Sequence, residues 1–283
     1  MTSTGSCTVD RHFYAKENVV FMPNPLPAIA SELFFTDLDS TMIFSHRHPH
    51  DADCVWVEEL NGKQQSFMTR KSFRFFQMQN RFRIVPLTTR SFQQFSRLRC
   101  LTETMGWQDA LICNGAVRLC GEQEDLQWRS DSENLAAPHL QQLLSLKRAA
   151  ANLCGTDAIV SAEPFLFYVK AADRVAEVTD LLLPLADPKQ IIIFHDARKV
   201  YCIPQTLSKG AAAMRYAKLF ADQPFWAAGD GELDIPMLNA ASVRFCSPEI
   251  SSRIRSDGQT FVCHAPFSDT VCDLLDQMSP KEI

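Results

Sequence analysis

Two aspartates separated by one residue, Asp37 and Asp39, close the apolar run Leu33-Phe34-Phe35 and begin a polar stretch, Ser40-Thr41. If the run is a strand, its alternation carries both carboxylates to one side, where one can attack an electrophile while the other handles a proton. Phosphoryl transfer through an enzyme carboxylate needs that pair, together with cations on the equatorial oxygens and an acid for the leaving oxygen. An Asp-x-Asp pair alone also binds metals in other folds or caps a helix. Three further stations follow. Thr88 ends Arg83-Ile84-Val85-Pro86-Leu87 and offers a hydroxyl to a phosphate oxygen or to a helix N-terminus. Lys209 heads a stretch beginning at Ser208, where its ammonium and the helix terminus could both face an anion, or where it could be a solvated first-turn lysine. Asp230 and Asp234 follow the run Phe225–Ala228 and suit a divalent cation with oxygen ligands, with Gly229 and Gly231 allowing a tight turn.

The elements that must position these residues are legible as short apolar runs alternating with longer amphipathic ones, the pattern of a largely parallel α/β sheet. Core strands are predicted at Glu32–Thr36, Arg83–Leu87, Ala110–Cys113, Phe225–Ala228 and Val243–Cys246. Ligands of such sheets bind beyond the carboxyl ends of the strands, where Asp37, Thr88 and Asp230 stand. From Asn114 to about Pro204 the pattern changes. Strands at Val117–Leu119, Leu126–Trp128, Phe165–Lys170, Gln190–His195 and Lys199–Ile203 are interleaved with helical stretches at Pro138–Leu153 and Arg174–Leu185. This predicts an α+β domain at 115–204 inserted into a core of 1–114 and 205–283, with an N-terminal extension over 1–30. Asn61-Gly62 between two alternating runs predicts a hairpin within 45–69, overhanging Asp37. Trp56 and Phe67 would pack across it. His46, His48 and His50 precede the hairpin, and Pro49 and the loop composition favour a solvated connection, with substrate contact ahead of metal binding.

All four stations in this order resemble the motif set of the haloacid dehalogenase (HAD) superfamily. The segment between the second and third stations is similar to the type 2 cap of its Cof-like branch, which includes sucrose-phosphate phosphatases. Asn114-Gly115-Ala116, Ser208-Lys209-Gly210 and Asp234-Ile235-Pro236-Met237-Leu238 carry that likeness, which spans about residues 32 to 265. It implies a Rossmann-like core and a Mg²⁺-dependent phosphatase. Asp37 would be the nucleophile and Asp39 the acid and base, while Thr88, the Thr89 amide and Lys209 would bind phosphate. Asp37, the Asp39 carbonyl and Asp230 would hold the metal, with Asp234 supporting it or orienting Lys209. Arg90 matches an arginine common after the second station. The chain departs from the pattern at Ser40 and Thr89, each in place of a usual Gly, at Gly231 in place of Ser, and at Leu233 in place of Asn. The long hairpin is also similar to HAD proteins encoded in bacterial tellurite-resistance and stress-response clusters, implying a specialised phosphorylated metabolite. Asn114 at the cap entry, with Lys170, Arg198 and Lys199 within the cap, would contact substrate, although surface solvation suits each cation as well. A phosphomutase using the same aspartates, or a phospho-ligand-binding module, would share much of this pocket. Retention of Asp39 speaks against the module.

Composition narrows the partners. Of 283 residues, 46% are hydrophobic and 22% charged, which is ordinary globular composition, and the net charge of −5 offers no basic stripe for nucleic acid. A small phosphorylated molecule needs only local positive charge. The ten cysteines include no Cys-x-x-Cys pair, as expected of reduced thiols. Met1–Asp10 has no leader-like blocks, and no apolar run approaches the ~20 residues of a membrane span. A cytoplasmic protein is the expectation.

Overall fold

The computed structural model describes residues 32–196 and 198–278; the N-terminal extension and Cys7 lie outside the described residues. The first half comprises β1 (Glu32–Thr36), β2 (Phe44–Ser45), β3 (Val55–Leu60), β4 (Lys63–Met68), α1 (Arg70–Met78), β5 (Phe82–Pro86), α2 (Phe92–Phe95), α3 (Arg99–Glu103), β6 (Asp109–Ile112), β7 (Val117–Cys120) and β8 (Gln123–Glu124). Next come α4 (Leu126–Ala136), α5 (Leu140–Cys154), β9 (Ile159–Ala162), β10 (Leu166–Lys170), α6 (Val175–Leu182), β11 (Ile191–His195) and β12 (Lys199–Pro204). The chain then runs through α7 (Lys209–Ala217), β13 (Phe225–Gly229), α8 (Ile235–Ala240), β14 (Val243–Cys246), α9 (Pro248–Ser251), β15 (Gln259–Val262) and α10 (Phe267–Gln277).

Five strands form a parallel sheet in the order β15-β14-β13-β1-β5. Interior strand β1, between β13 and β5, is buried on both faces, as a parallel strand between helices must be. Phe34 packs against Phe82 and Phe245 on one face, and Phe35 against Tyr216 of α7 and Phe225 on the other. Truncating either phenylalanine to alanine would cost about 3–5 kcal/mol. A parallel bridge from Leu87 to Leu111 brings β6 beside the end of β5. Thus β1, β5 and β13 all end on one side of the sheet.

A second, antiparallel sheet, β11-β12-β10-β9, has two different faces. Phe167, Val169, Val200 and Cys202 pack with Leu143 and Leu146 of α5 and with Val178 of α6, whereas Leu166, Tyr168, Tyr201 and Ile203 belong to the apolar cluster of the parallel sheet. Alternation along β10 and β12 therefore turns one face toward the strand ends that carry the polar stations.

The hairpin forms as its sequence predicts: β3 and β4 pair around Asn61-Gly62, both at positive φ (54° and 72°), as a two-residue type I′ connection requires. Trp56 lies opposite Phe67 with ring centroids 5.7 Å apart. One predicted strand is corrected: Leu126–Trp128 opens helix α4. Asp125 accepts a hydrogen bond from the Trp128 amide as N-cap (3.0 Å), and the Trp128 indole donates to the Gly115 carbonyl (3.0 Å), so local capping overrides the apolar alternation. Strands β9 and β15 went unread because both are short and only partly buried. No helix among the described residues is long and apolar enough to cross a membrane.

Candidate active site

The three strand ends and the start of α7 bring the carboxylates and the lysine together. Asp37 follows β1, its amide donating to the Ala228 carbonyl of β13 at 2.9 Å, which fixes it beside the Asp230 loop. Lys209 opens α7, where the Ser208 side chain accepts from the Ala211 amide at 3.2 Å. Far from being a solvated first-turn residue, Lys209 is 2% exposed and bridges Asp37 Oδ1 (2.7 Å) and Asp234 Oδ1 (2.6 Å). The second oxygen of Asp234 accepts from the Gly231 amide at 2.9 Å. Gly229 makes room for this approach, since a Cβ there would lie 2.4 Å from that of Asp234.

Asp37, Asp230 and Asp234 present carboxylate oxygens within 4.8 Å of one another, the one such cluster of three or more metal-ligating side chains found among the described residues. All donors are oxygens, the set a hard divalent cation prefers. Burial raises Asp37 well above the usual carboxylate range, with Lys209 opposing and Asp234 and Asp230 adding to the rise. Asp230 is pushed up to about 7 by burial and then by Asp234, against the Thr41 hydroxyl that donates to it at 2.7 Å. Burial works against the Lys209 ammonium, but Asp234 and Asp37 outweigh it and hold it above the ordinary lysine range. Crowded carboxylates with one ammonium among them are a site short of positive charge. A cation would supply it.

Asp39 faces a different environment. Its side chain is 53% exposed and accepts two bonds from Arg90, Nε to Oδ2 and Nη2 to Oδ1, both 2.8 Å. The other edge of Arg90 grips Glu58 of β3, whose side chain is 3% exposed, through Nη1 and Nη2 at 3.0 Å each. Glu58 also accepts from Arg97 Nε (2.8 Å) and the Ser66 hydroxyl (2.6 Å). Burial alone would raise the Glu58 carboxyl, but Arg90, Ser66 and Arg97 hold it below its ordinary value. Sequence reasoning did not single out Glu58.

Thr88 is fully buried at the end of β5, and its hydroxyl accepts from the Arg90 amide at 3.2 Å, leaving the cap of α2 to Ser91. Thr89 hydrogen-bonds the Tyr201 hydroxyl of β12, which burial pushes above its ordinary range. Tyr168 packs on Tyr201 (5.2 Å between centroids), Phe194 packs on Tyr201 (5.9 Å), and the Lys199 ammonium sits 3.3 Å from the Tyr201 hydroxyl. This aromatic group on the second sheet was also missed from sequence; Tyr168 and Tyr201 stand directly opposite each other on the paired strands β10 and β12. Lys170 is exposed opposite Lys199, and Arg198 is exposed in the turn before β12. Buried Asn114 donates its side-chain amide to the Leu207 carbonyl (2.8 Å), tying together the two crossings between the sheets. Leu233, in place of the usual Asn, packs against the apolar cluster of the parallel sheet. His50 packs between Trp56 and Phe67, its Nδ1 2.9 Å from the His48 carbonyl.

No protein-family model and no curated protein matches the sequence. Solved structures do. The sucrose-phosphatase of Synechocystis sp. PCC6803, described in complex with sucrose and phosphate, is 18% identical, with a TM-score of 0.56 over 88% of this chain and 98% of that one. A HAD subclass IIB sugar phosphatase is 12% identical, with a TM-score of 0.59 over 87% and 98%. A haloacid dehalogenase-like hydrolase from Bacteroides thetaiotaomicron is 13% identical, with a TM-score of 0.51 over 88% and 99%. At such identities the likeness establishes the fold alone, a Rossmann-like core of parallel strands with an additional α+β unit, in agreement with the expectation from the sequence.

Proposed function

We propose that this chain is a Mg²⁺-dependent phosphatase that hydrolyses a small phosphorylated metabolite, a sugar phosphate or related ester, through an aspartyl-phosphate on Asp37. The observation that carries the reading is the Lys209 ammonium bridging Asp37 and Asp234 at the ends of β1 and β13, with Asp230 completing the cluster. Of the described residues, 32–114 and 205–278 act as the catalytic core and 115–204 as a cap over it. The enzyme works in the cytoplasm, in keeping with the nine cysteines among the described residues, all free.

In this reading an Asp37 oxygen attacks phosphorus, the ester P–O bond breaks, and Asp39 gives its proton to the departing oxygen. Asp39, now a carboxylate, takes a proton from the water that cleaves the acyl phosphate, releasing phosphate and restoring Asp37. Thr88, the Thr89 amide and Lys209 bind the phosphoryl oxygens, and Asp234 keeps the ammonium aimed at them. Asp37, the Asp39 carbonyl and Asp230 would hold Mg²⁺, with Asp234 supporting it. When bound, the ion neutralises phosphoryl charge and keeps Asp37 ionised. Tyr168, Tyr201, Phe194 and Lys199 offer the leaving group an aromatic floor with a cation at its edge, which suits the apolar face of a sugar ring.

The test is phosphate release from 4-nitrophenyl phosphate and from a panel of sugar phosphates, with and without Mg²⁺. Activity that requires Mg²⁺ and is abolished in Asp37→Asn supports the assignment. Full activity in Asp37→Asn overturns the nucleophile, and isomerised sugar phosphate in place of free phosphate would make the protein a mutase.

A further inference from the structure

Glu58 belongs to a surface hairpin, yet it is among the most deeply buried carboxylates of the described residues. The hairpin does not need it there. Asn61-Gly62 sets the turn, and Val57, Phe67 and Met68 already anchor the strands in the core. Burying an ionised carboxylate costs several kcal/mol unless its oxygens are satisfied, so an arrangement that buries one and then surrounds it with donors calls for a reason. The pairing of β3 with β4 slips on both sides of Glu58, and such a bulge re-aims a side chain that regular alternation would direct elsewhere. Here Val57 and Glu58 are both buried, and Glu58 turns toward Arg90.

The consequence is visible in how Arg90 spends its donors. A guanidinium has five N–H groups. Nε serves Asp39, Nη2 serves Asp39 and Glu58, and Nη1 serves Glu58 and the Gln94 carbonyl, the last at 3.4 Å. With every donor engaged, the plane of Arg90 is set from the Glu58 side, and that plane dictates the orientation of the Asp39 carboxylate. Arg97 balances the charge: two arginines meet two carboxylates, so Arg90 need not be neutralised by Asp39 alone.

We propose that Glu58 is a positioning residue that, through Arg90, holds Asp39 in place to transfer protons at the scissile oxygen. This rests on the phosphatase reading above and goes beyond it by giving the hairpin a part in the acid step. The reacting groups are unchanged: the ester P–O bond breaks and the Asp39 proton goes to the leaving oxygen. Glu58 touches neither.

The experiment compares two esters by kcat/KM, which reports phosphoryl transfer to Asp37. An alkyl phosphate leaves as a strongly basic alkoxide and needs the proton; 4-nitrophenyl phosphate leaves as a stable phenolate and does not. Glu58→Gln should lower kcat/KM for the alkyl ester about tenfold to hundredfold and leave the aryl ester within about threefold. In an Asp39→Asn background the Glu58→Gln effect on the alkyl ester should vanish, because the group it positions is gone. Equal losses on both esters, no loss on either, or a full additional loss in the Asp39→Asn background would overturn the assignment. Should Glu58→Gln fail to fold, Ser66→Ala removes one bond to Glu58 and should show the same ester selectivity at a few-fold amplitude. Its absence there overturns the proposal. If the wild type releases phosphate from neither ester, it is the phosphatase reading that fails; ester-independent loss in an active enzyme removes only the role of Glu58.

Discussion

Asp37 and Asp39 stand two residues apart at the end of one strand, and the fold treats them in opposite ways. Asp37 is drawn inward, 14% exposed, against a buried lysine and two more carboxylates. Asp39 looks outward, half in solvent, gripped by a planar fork. A point charge such as an ammonium attracts without fixing an orientation, whereas a bidentate guanidinium fixes a carboxylate plane. The distinction matches the two tasks: a nucleophile in a site that must gather positive charge around phosphate, and a proton carrier whose direction matters more than its field.

The comparison breaks most severely at Lys209. In Lys209→Met, Asp37 and the buried Asp234 lose the ammonium that bridges them, so we expect a loss of about 3–5 kcal/mol in urea denaturation, as when one partner of a buried pair is removed. Phosphate release should fall about a thousandfold. Retention of wild-type stability would mean that the cluster does not depend on this bridge. On the other side, Arg90→Lys keeps the charge but cannot span both carboxylates. It should lower kcat/KM for an alkyl phosphate about tenfold to hundredfold while leaving stability within about 2 kcal/mol. Equal losses for Arg90→Lys and Lys209→Met would erase the difference between anchoring and orienting.

A third expectation concerns charge alone. With Asp230 near 7 and Asp37 raised, the folded protein keeps protons that an unfolded chain, with carboxylates near 4, has released. The folded state binds more protons across that window, so the stability contributed by these groups is full below pH ~4 and lost as pH rises through about 7. A bound cation should restore it. Mg²⁺ at ~100 times its Kd would add about 2.7 kcal/mol, or about 5–10 °C in Tm. The shift should be larger at pH 8 than at pH 5.5, by differential scanning fluorimetry. A shift independent of pH would remove the carboxylates from the metal site.

How much of this was legible follows the range of the interactions. Strands β1 and β14 were read to the residue, and β5, β6 and β13 within a residue or so at either end, because each is a short, mostly apolar segment and β1, β5 and β13 run into polar clusters, a signal contained in a few neighbours. The hairpin was legible from Asn61-Gly62 for the same reason. Lys209 was ambiguous because nothing within its own turn says that Asp37 and Asp234 will meet it, 172 and 25 residues away in sequence by its number and theirs. Glu58 was invisible: its arginine partners lie 32 and 39 residues along the chain, and the bulge that aims it breaks the alternation by which an inward residue is recognised. On the second sheet, single cations were picked by type, but the paired register places Lys199 with Tyr168 and Tyr201, and pairing is not written in either strand alone.

The smallest expected effect lies between the two aspartates' neighbourhoods. Immediately after Asp39 the chain makes a tight turn in which the amides of Thr41, Met42 and Ile43 all donate to the Leu38 carbonyl, and Ser40 sits at φ 65°. Left-handed backbone costs a residue with a Cβ about 1–2 kcal/mol, and glycine, the usual residue here in the family this chain resembles, avoids it. Part of that gain is lost because glycine frees the unfolded chain. Ser40→Gly should therefore stabilise the protein by about 0.5–1 kcal/mol in urea denaturation. The same change loosens the turn that carries Asp39, whereas Asp37 is held by its own bonds to β13 and Lys209. If orientation is what Asp39 needs, the stabilised variant should be slower on an alkyl phosphate and unchanged on 4-nitrophenyl phosphate. Gains in both stability and alkyl-ester rate would show that Arg90 and Glu58 alone suffice to orient Asp39.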